Sequence, residues 1–199
     1  MKCLSDRLSK ELVQEEIVEK NVAEYYSYGF ERLYISILMY LIILVTALIT
    51  GTLIPSIIFT TAFVLQRQFS GGYHCNSSLK CTVLSLLIYF MLLVLVFTKS
   101  NTLVHIMFVL SNISAVPLII CAPVVCLNNP LSDIEKHRYK CISRIITFIL
   151  LLIQTITFVM NCSIICLPLS YSMITDSLLL IIALLKGGKN EKDSIKASR

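Results

Sequence analysis

Long apolar stretches separated by short polar breaks dominate this chain after residue 33. Most of them approach the roughly 20 residues that a helix needs to cross a hydrocarbon core of about 30 Å. The pattern therefore predicts an all-α integral membrane protein with about six transmembrane helices. The apolar segments span residues 34–50, 52–65, 79–97, 102–127, 141–160 and 163–185.

The region before the first apolar segment has a different pattern. Between residues 4 and 30, apolar side chains recur at helical spacing among acidic and basic ones, which predicts an amphipathic helix lying on the membrane or against a partner. No cleavable signal peptide is recognisable there, because the charged start contains no apolar core of the needed length. The expected organisation is an N-terminal amphipathic helix (1–32), a transmembrane domain that carries the candidate catalytic residues (33–186), and a cytoplasmic basic tail (187–199).

Two of the apolar segments depart from a regular span. The second has only about 14 residues before Gln66 and Arg67, which gives about 21 Å of helix, so the residues that follow are expected below the level of the lipid headgroups. The fourth segment is long and contains Pro117 and Pro123. It is predicted to be tilted and kinked, or partly re-entrant.

Composition and charge agree with a membrane protein and give it an orientation. Apolar residues make up 56% of the chain and charged residues 15%, whereas soluble domains carry about 25% charged residues. With the N-terminus inside, Lys99 alone among the 17 Lys and Arg residues falls outside, so both termini are predicted to be cytoplasmic.

The eight cysteines lie mostly in or beside apolar segments. We expect them to pack as small apolar residues, without a disulfide framework or a zinc site.

The densest group of reactive side chains lies between the second and third apolar segments, and with these spans it faces the cytoplasm. Its candidate functional residues are Arg67, Gly71, Gly72, His74 and Cys81. The glycines permit backbone conformations closed to other residues and let a second chain approach closely, as a substrate cleft requires. Ser77 or Ser78 is expected to cap the third apolar helix. Cys81 would then lie in the first helical turn, where the helix dipole and Lys80 favour a thiolate.

His74 is the candidate base for Cys81 and the candidate acid for the leaving amine. In one straight helix the two residues would lie about 10.5 Å apart along the axis, so the chain must bend between them. Cys75 is a competing thiol, but it lacks the position at a helix start. From composition alone, a polar segment with His and Cys is more often only a loop. His105 and His137 are weaker candidates, expected in the bundle and in a solvated basic loop.

The pattern Arg-x3-Gly-Gly-x-His-x6-Cys in this segment resembles the accessory gene regulator protein B (AgrB) family of bacterial membrane peptidases. The resemblance extends over nearly the whole chain, including the amphipathic start, the apolar segments and the basic loop after residue 130. It implies that His74 and Cys81 are the catalytic pair of a cysteine endopeptidase in the bacterial cell membrane. Such an enzyme cuts an AgrD-like propeptide and closes it as a thiolactone, or as a lactone where the peptide offers Ser. Cys75 departs from the small residues usual at its position.

Substrate contacts are expected from the arginine and the glycines of the motif and from the basic loop. In that loop, Lys136, Arg138 and Lys140 would hold an acidic peptide tail, although the positive-inside rule alone explains their charges. Membrane lipid and a second copy of the chain in a homodimer are the other expected partners. No cofactor, metal or nucleic acid is expected.

Two alternatives without peptidase activity stay open. One is a small transporter lined by the fourth segment and by Asp176, an ionisable residue near the middle of the last segment, where such groups are costly. Packing and functional roles are equally open for this carboxylate. The other alternative is a thiol redox carrier, which would need both Cys75 and Cys81.

Overall fold

A computed structural model describes residues 2–15, 22–71, 78–98, 100–124 and 132–197 of the protein. Over these ranges the chain forms seven α-helices. They are α1 (Lys2–Gln14), α2 (Ala23–Thr50), α3 (Leu53–Ser70), α4 (Ser78–Thr98), α5 (Asn101–Cys121), α6 (Asp133–Val159) and α7 (Ser163–Ala197). Each apolar segment of the sequence coincides largely with one of the helices α2 to α7, which confirms the prediction of an all-helical fold.

Within the described ranges, five helices are long and apolar enough to cross a membrane, namely α2, α4, α5, α6 and α7. The sixth, α3, has 18 residues, about 27 Å of helix, but its last turns are polar. The prediction that this segment ends at Leu65 is wrong. The helix continues to Ser70, and Gln66 packs against α6, where its Nε2 donates to Ser143 Oγ at 3.2 Å and to Thr147 Oγ1 at 3.0 Å.

The last helix, α7, forms the centre of the bundle. In its most apolar stretch 78% of the residues are buried, against 28% or less in the other four candidate spans. It contacts α3, α4, α5 and α6. The main core cluster draws on α3, α5, α6 and α7 and contains Ala62, Ala115, Leu150, Leu169 and Met173. The outer faces of the surrounding helices expose many large apolar side chains, as a surface in contact with lipid does.

The amphipathic N-terminal region is divided between two helices. α1 ends at Gln14 and packs on α2, where the Ser27 hydroxyl lies 3.5 Å from the Ser5 hydroxyl. The prediction of one amphipathic helix from residue 4 to residue 30 is therefore wrong in its second half. Residues from Ala23 onward belong to α2, because no proline interrupts the chain between them and the first apolar segment.

Pro123 determines where α5 ends. In a longer helix the N–H of residue 123 would bond to the carbonyl of Ile119, and proline has no N–H. Arg144 of α6 donates to this carbonyl instead, from Nε at 3.0 Å. The fourth apolar segment was predicted to reach residue 127. Over its described part, which ends at Val124, it is helical as far as Cys121, and Pro117 lies inside the helix.

A capping box starts α6 well before the predicted residue 141. The Ser132 side chain accepts a hydrogen bond from the N–H of Glu135, and the Glu135 carboxylate accepts one from the N–H of Ser132 at 2.9 Å. The prediction of a basic loop is wrong over the residues that follow this cap, because the helix has already begun. The residues concerned are Lys136, His137, Arg138 and Lys140, which lie in the first turns of α6.

Candidate functional site

The described candidate residues lie at the end of α3 and near the start of α4. The end of α3 is in contact with the segment that follows α5 and with the start of α6. The structure describes Arg67 and Gly71 at the end of α3 and Cys81 near the start of α4. Gly72 and His74 lie outside the described residues, as does the competing thiol of Cys75. The bend between His74 and Cys81 stays a prediction.

Cys81 occupies the helix start that the sequence predicted for it. α4 begins at Ser78, so Cys81 is reached by the end of its first turn. The thiol is free and partly buried. Backbone N–H groups in the first turn of a helix have no partner within the helix and favour negative charge nearby. The position therefore suits a thiolate nucleophile.

Gly71 makes a close contact with the chain's own backbone. Its φ of +69° and ψ of −154° belong to a region open essentially to glycine. The N–H of Val124 donates to the carbonyl of Ser70 at 3.0 Å, and a Cβ on Gly71 would collide with the carbonyl oxygen of Val124. The sequence analysis expected a substrate chain to approach this glycine closely. In the structure, the segment that follows α5 makes the close approach. This contact holds the end of α3 against the segment that follows α5.

Arg67 lies one turn before Gly71, in the last turns of α3. Its Cζ is 5.9 Å from the centroid of the Phe63 ring, and its Nη1 atom is buried. Part of the guanidinium that the sequence assigned to substrate binding is therefore buried within the bundle. Asp176 on α7 is also buried, with 2% of its surface exposed.

The basic residues of α6 lie beside the end of α3. Tyr139 packs edge-on against Phe69, with ring centroids 5.7 Å apart. Among the neighbouring basic side chains, those of Lys136 and Arg138 are exposed and that of Lys140 is half-buried. The structure therefore brings the predicted basic group to the site end of the bundle, carried by a helix.

Some contacts at this end were missed by the sequence analysis. Gln66 carried a signal, since a polar residue at the end of an apolar segment predicts a polar partner when it is buried. Val124 carried no such signal, because a valine in an apolar segment gives no indication that its backbone contacts Gly71. His137 and Cys141, one turn apart on α6, bring an imidazole nitrogen within 3.9 Å of a thiol. Within the described ranges, no group of three His, Cys, Asp or Glu side chains could hold a metal ion.

Comparison with known proteins identifies the family. The model of the family Accessory gene regulator B matches residues 2–185. An AgrB-like protein of Lactiplantibacillus plantarum is 26% identical over 197 residues, which cover 95% of this chain and 92% of that protein. An AgrB-like protein of Listeria monocytogenes serovar 1/2a is 27% identical over 88 residues, 43% of each chain. No solved structure matches the chain significantly. The family match covers α1 to α6 and the apolar part of α7, and the chain belongs to the accessory gene regulator B family.

Proposed function

We propose that this chain is a membrane-embedded cysteine endopeptidase that cleaves the C-terminal part of an AgrD-like propeptide and cyclises the product as a thiolactone. Membership of the AgrB family implies a role in quorum-sensing peptide processing, and the apolar helices are those of a multi-pass membrane protein. The observation that carries the proposal is the free Cys81 thiol near the start of α4.

The first chemical step forms an acyl-enzyme. The Cys81 thiolate attacks the scissile carbonyl, the C–N bond breaks, and His74 gives its proton to the leaving amine. The products are a peptidyl thioester on Cys81 and a free C-terminal fragment.

The second step closes the ring. A Cys thiol of the bound peptide gives its proton to His74 and attacks the thioester carbonyl, so that Cys81 leaves as a thiolate. One thioester is exchanged for another, and the free energy of the step is small. Water is the competing nucleophile, and the partly buried position of Cys81 at the start of an apolar helix favours the peptide's thiol by limiting the access of water.

Substrate recognition belongs to the basic residues at the same end. The exposed Lys136 and Arg138, with Lys140, carry the positive charge needed to hold an acidic C-terminal tail beside the end of α3. Gly71 contributes by shaping the exit from α3, and Gly72 and Arg67 are proposed to border the peptide. The exposed apolar faces of the bundle contact lipid and, in a homodimer, a second copy of the chain.

The orientation proposed places both termini and the catalytic segment in the cytoplasm. Its support is the charge distribution, in which Lys99 alone falls on the other side. Single cysteines at residues 99 and 140 of a variant without other cysteines test it with a thiol reagent that cannot cross the membrane. We expect labelling from outside at residue 99 and from inside at residue 140. Labelling of both residues from the same side would contradict the six-span arrangement.

The proposed activity is tested by co-expressing the chain with the small peptide gene expected beside its own and analysing the products by mass spectrometry. We expect a cyclic peptide lighter by one water than the linear fragment, and none with Cys81→Ala. Export of an unprocessed peptide would favour the transporter alternative. A requirement for both Cys75 and Cys81, without peptide cleavage, would favour the redox alternative.

A further inference from the structure

Gln66 is a buried amide between two helices that the proposed mechanism does not use. It lies on α3, one turn before Ser70, with 0% of its surface exposed. Its Nε2 donates to Ser143 Oγ at 3.2 Å and to Thr147 Oγ1 at 3.0 Å, and both acceptors are buried residues of α6. Glutamine side chains make such hydrogen bonds between helices in membrane bundles. An apolar side chain of similar size could fill this space, so the amide adds a directional constraint to the packing.

The same face of α6 contacts the end of α3 a second time. Tyr139, one turn before Ser143, packs edge-on against Phe69 of α3, with ring centroids 5.7 Å apart. Tyr139, Ser143 and Thr147 follow one another at intervals of four residues and therefore share a face of α6. Since Phe69 follows Gln66 while Tyr139 precedes Ser143, the two helices run antiparallel here. Two contacts about one turn apart define the register of this helix pair.

This register places the basic turn of α6 beside the end of α3. Lys136 precedes Tyr139 by three residues, so it lies about 4.5 Å farther along α6 and on the same side of the helix. Lys136 and Arg138 are exposed, and Lys140 is half-buried. Because α3 and α6 are antiparallel, the basic turn lies near the level at which the Ser70 carbonyl accepts a hydrogen bond from the segment after α5.

We propose that Gln66 is a positioning residue for substrate recognition, which fixes the basic turn of α6 at the position, relative to the end of α3, that the acidic tail of the propeptide requires. A buried amide between apolar helices specifies their register because other registers leave it unpaired. A slide of α6 by one turn would move its positive charges by about 5.4 Å. The inference rests on the proposed function, in which Lys136, Arg138 and Lys140 hold the tail.

Gln154 provides a matched control in the other half of the bundle. It lies on α6 and is also fully buried, and its Nε2 donates to the hydroxyl of Ser111 on α5. The Oε1 atom of each glutamine is buried without a hydrogen-bond partner among the described residues. Replacing either glutamine by Leu therefore removes hydrogen bonds between helices at nearly constant volume. The change at Gln66 acts between α3 and α6, and the change at Gln154 acts between α5 and α6.

The test uses the full chain in membrane vesicles with two propeptides, the cognate one and a form whose acidic tail residues are changed to the corresponding amides. In the wild-type chain, neutralising the tail should raise KM by about 10-fold, because the tail loses its attraction to the basic turn. Gln66→Leu should raise KM for the cognate propeptide and leave the two propeptides within about 2-fold of each other, because the displaced charges no longer meet the tail. Gln154→Leu should keep the wild-type difference.

The ratio of the two KM values separates positioning from a loss of stability. A loss of folded protein, measured by immunoblot, lowers the rate with both propeptides equally and leaves this ratio unchanged. The double variant Ser143→Ala with Thr147→Ala removes both acceptors of Gln66 and should reduce the ratio as Gln66→Leu does. It provides the same readout if Gln66→Leu fails to accumulate in the membrane.

Two results would overturn the inference alone: a wild-type ratio in Gln66→Leu and in the double variant, or an equal loss of the ratio in Gln154→Leu. A wild-type chain that is indifferent to tail charge would overturn it together with the proposed binding of the tail. These outcomes are distinct from failure of the proposed chemistry, which would appear as propeptide cleavage by Cys81→Ala.

Discussion

The two ends of the bundle carry similar reactive side chains in different surroundings. Where α5 begins, α6 ends and α7 begins, a cavity of about 280 Å³ is lined by residues that include His105, Cys162 and Cys166. Cys162 directly precedes α7, so this end also has a thiol at a helix start. His105 packs edge-on against Phe158, with ring centroids 5.0 Å apart. A histidine and a cysteine near a helix start therefore do not by themselves define a catalytic site.

The ends differ in charge and in backbone geometry. Among the described residues, those lining the far cavity include no Lys, Arg, Asp or Glu, whereas the site end has Arg67 and the basic first turns of α6. The site end also has Gly71 in a backbone conformation that only glycine adopts readily. These two features suit a peptide substrate, which needs an attracting charge and a chain held at a fixed angle to the nucleophile.

The largest expected effect separates the thiols of the two ends. We expect Cys81→Ala and His74→Ala to lower propeptide cleavage by at least about 1,000-fold, because each removes a participant in bond breaking. Cys75→Ala, Cys162→Ala and His105→Ala should leave cleavage largely intact. Release of the C-terminal fragment, followed by mass spectrometry, measures all five. Cleavage that survives in Cys81→Ala but is lost in Cys75→Ala would reverse the choice of nucleophile.

The second comparison concerns two glycines with positive φ. Gly71→Ala should lower cleavage by about 100-fold, since the methyl group would push the exit of α3 away from Val124. Gly51, at the end of α2, has a φ of +67° and nothing within 4 Å of an added Cβ. Gly51→Ala should therefore cost about 1 kcal/mol of stability and leave cleavage nearly unchanged. Equal losses of activity in the two variants would show that backbone strain, and not the collision with Val124, lowers cleavage in Gly71→Ala.

The smallest expected effect concerns charge at the site end. Lys136→Gln combined with Arg138→Gln should raise KM by about 10-fold at low salt and by less at high salt, because ions screen the attraction of an acidic tail. The control removes two positive charges elsewhere, by Arg7→Gln with Arg32→Gln. Arg7 pairs with Glu11 at 3.7 Å and Arg32 donates to the Tyr28 hydroxyl at 2.9 Å. An equal rise of KM in the control would show that the net charge of the protein, and not the position of Lys136 and Arg138, determines KM.

Hydropathy alone predicted most of the fold, and three of its errors share one cause. The order of the apolar helices and the start of α4 agree with the structure, and five of the described helices are long and apolar enough to cross a membrane. These three boundaries are the end of α3, the end of α5 and the start of α6; the start of α2, at Ala23 and not near residue 34, was also misplaced. Each of the three depends on a hydrogen bond made by a side chain. Near the end of α3, the Gln66 amide donates to Ser143 and Thr147 of α6. At the end of α5, Arg144 donates to the carbonyl of Ile119, and the Ser132 capping box starts α6. Hydropathy does not register such hydrogen bonds.

The site was predictable where local sequence determines it. Serines before an apolar segment signal a helix start, and Cys81 lies near the start of α4, which begins at Ser78. The partner of Gly71 was not predictable, because Val124 is distant in sequence and its contact is made by backbone atoms. Which residues of α3 and α5 pack against α7 was not predictable either. It depends on how the helices are shifted along and rotated about one another, and a single sequence does not contain that information.

The central claim is that one thiol both cuts the peptide and transfers it to a second thiol. It is tested most directly with a propeptide whose ring-forming Cys is replaced by Ala. The first step keeps all its groups and the second loses its nucleophile, so a peptidyl thioester on Cys81 should accumulate. Intact-mass analysis should then show the added peptide mass on the enzyme, removable by hydroxylamine and much reduced with the wild-type propeptide. Release of linear peptide from the Ala propeptide at the wild-type rate, with no adduct on Cys81, would contradict the acyl-transfer mechanism.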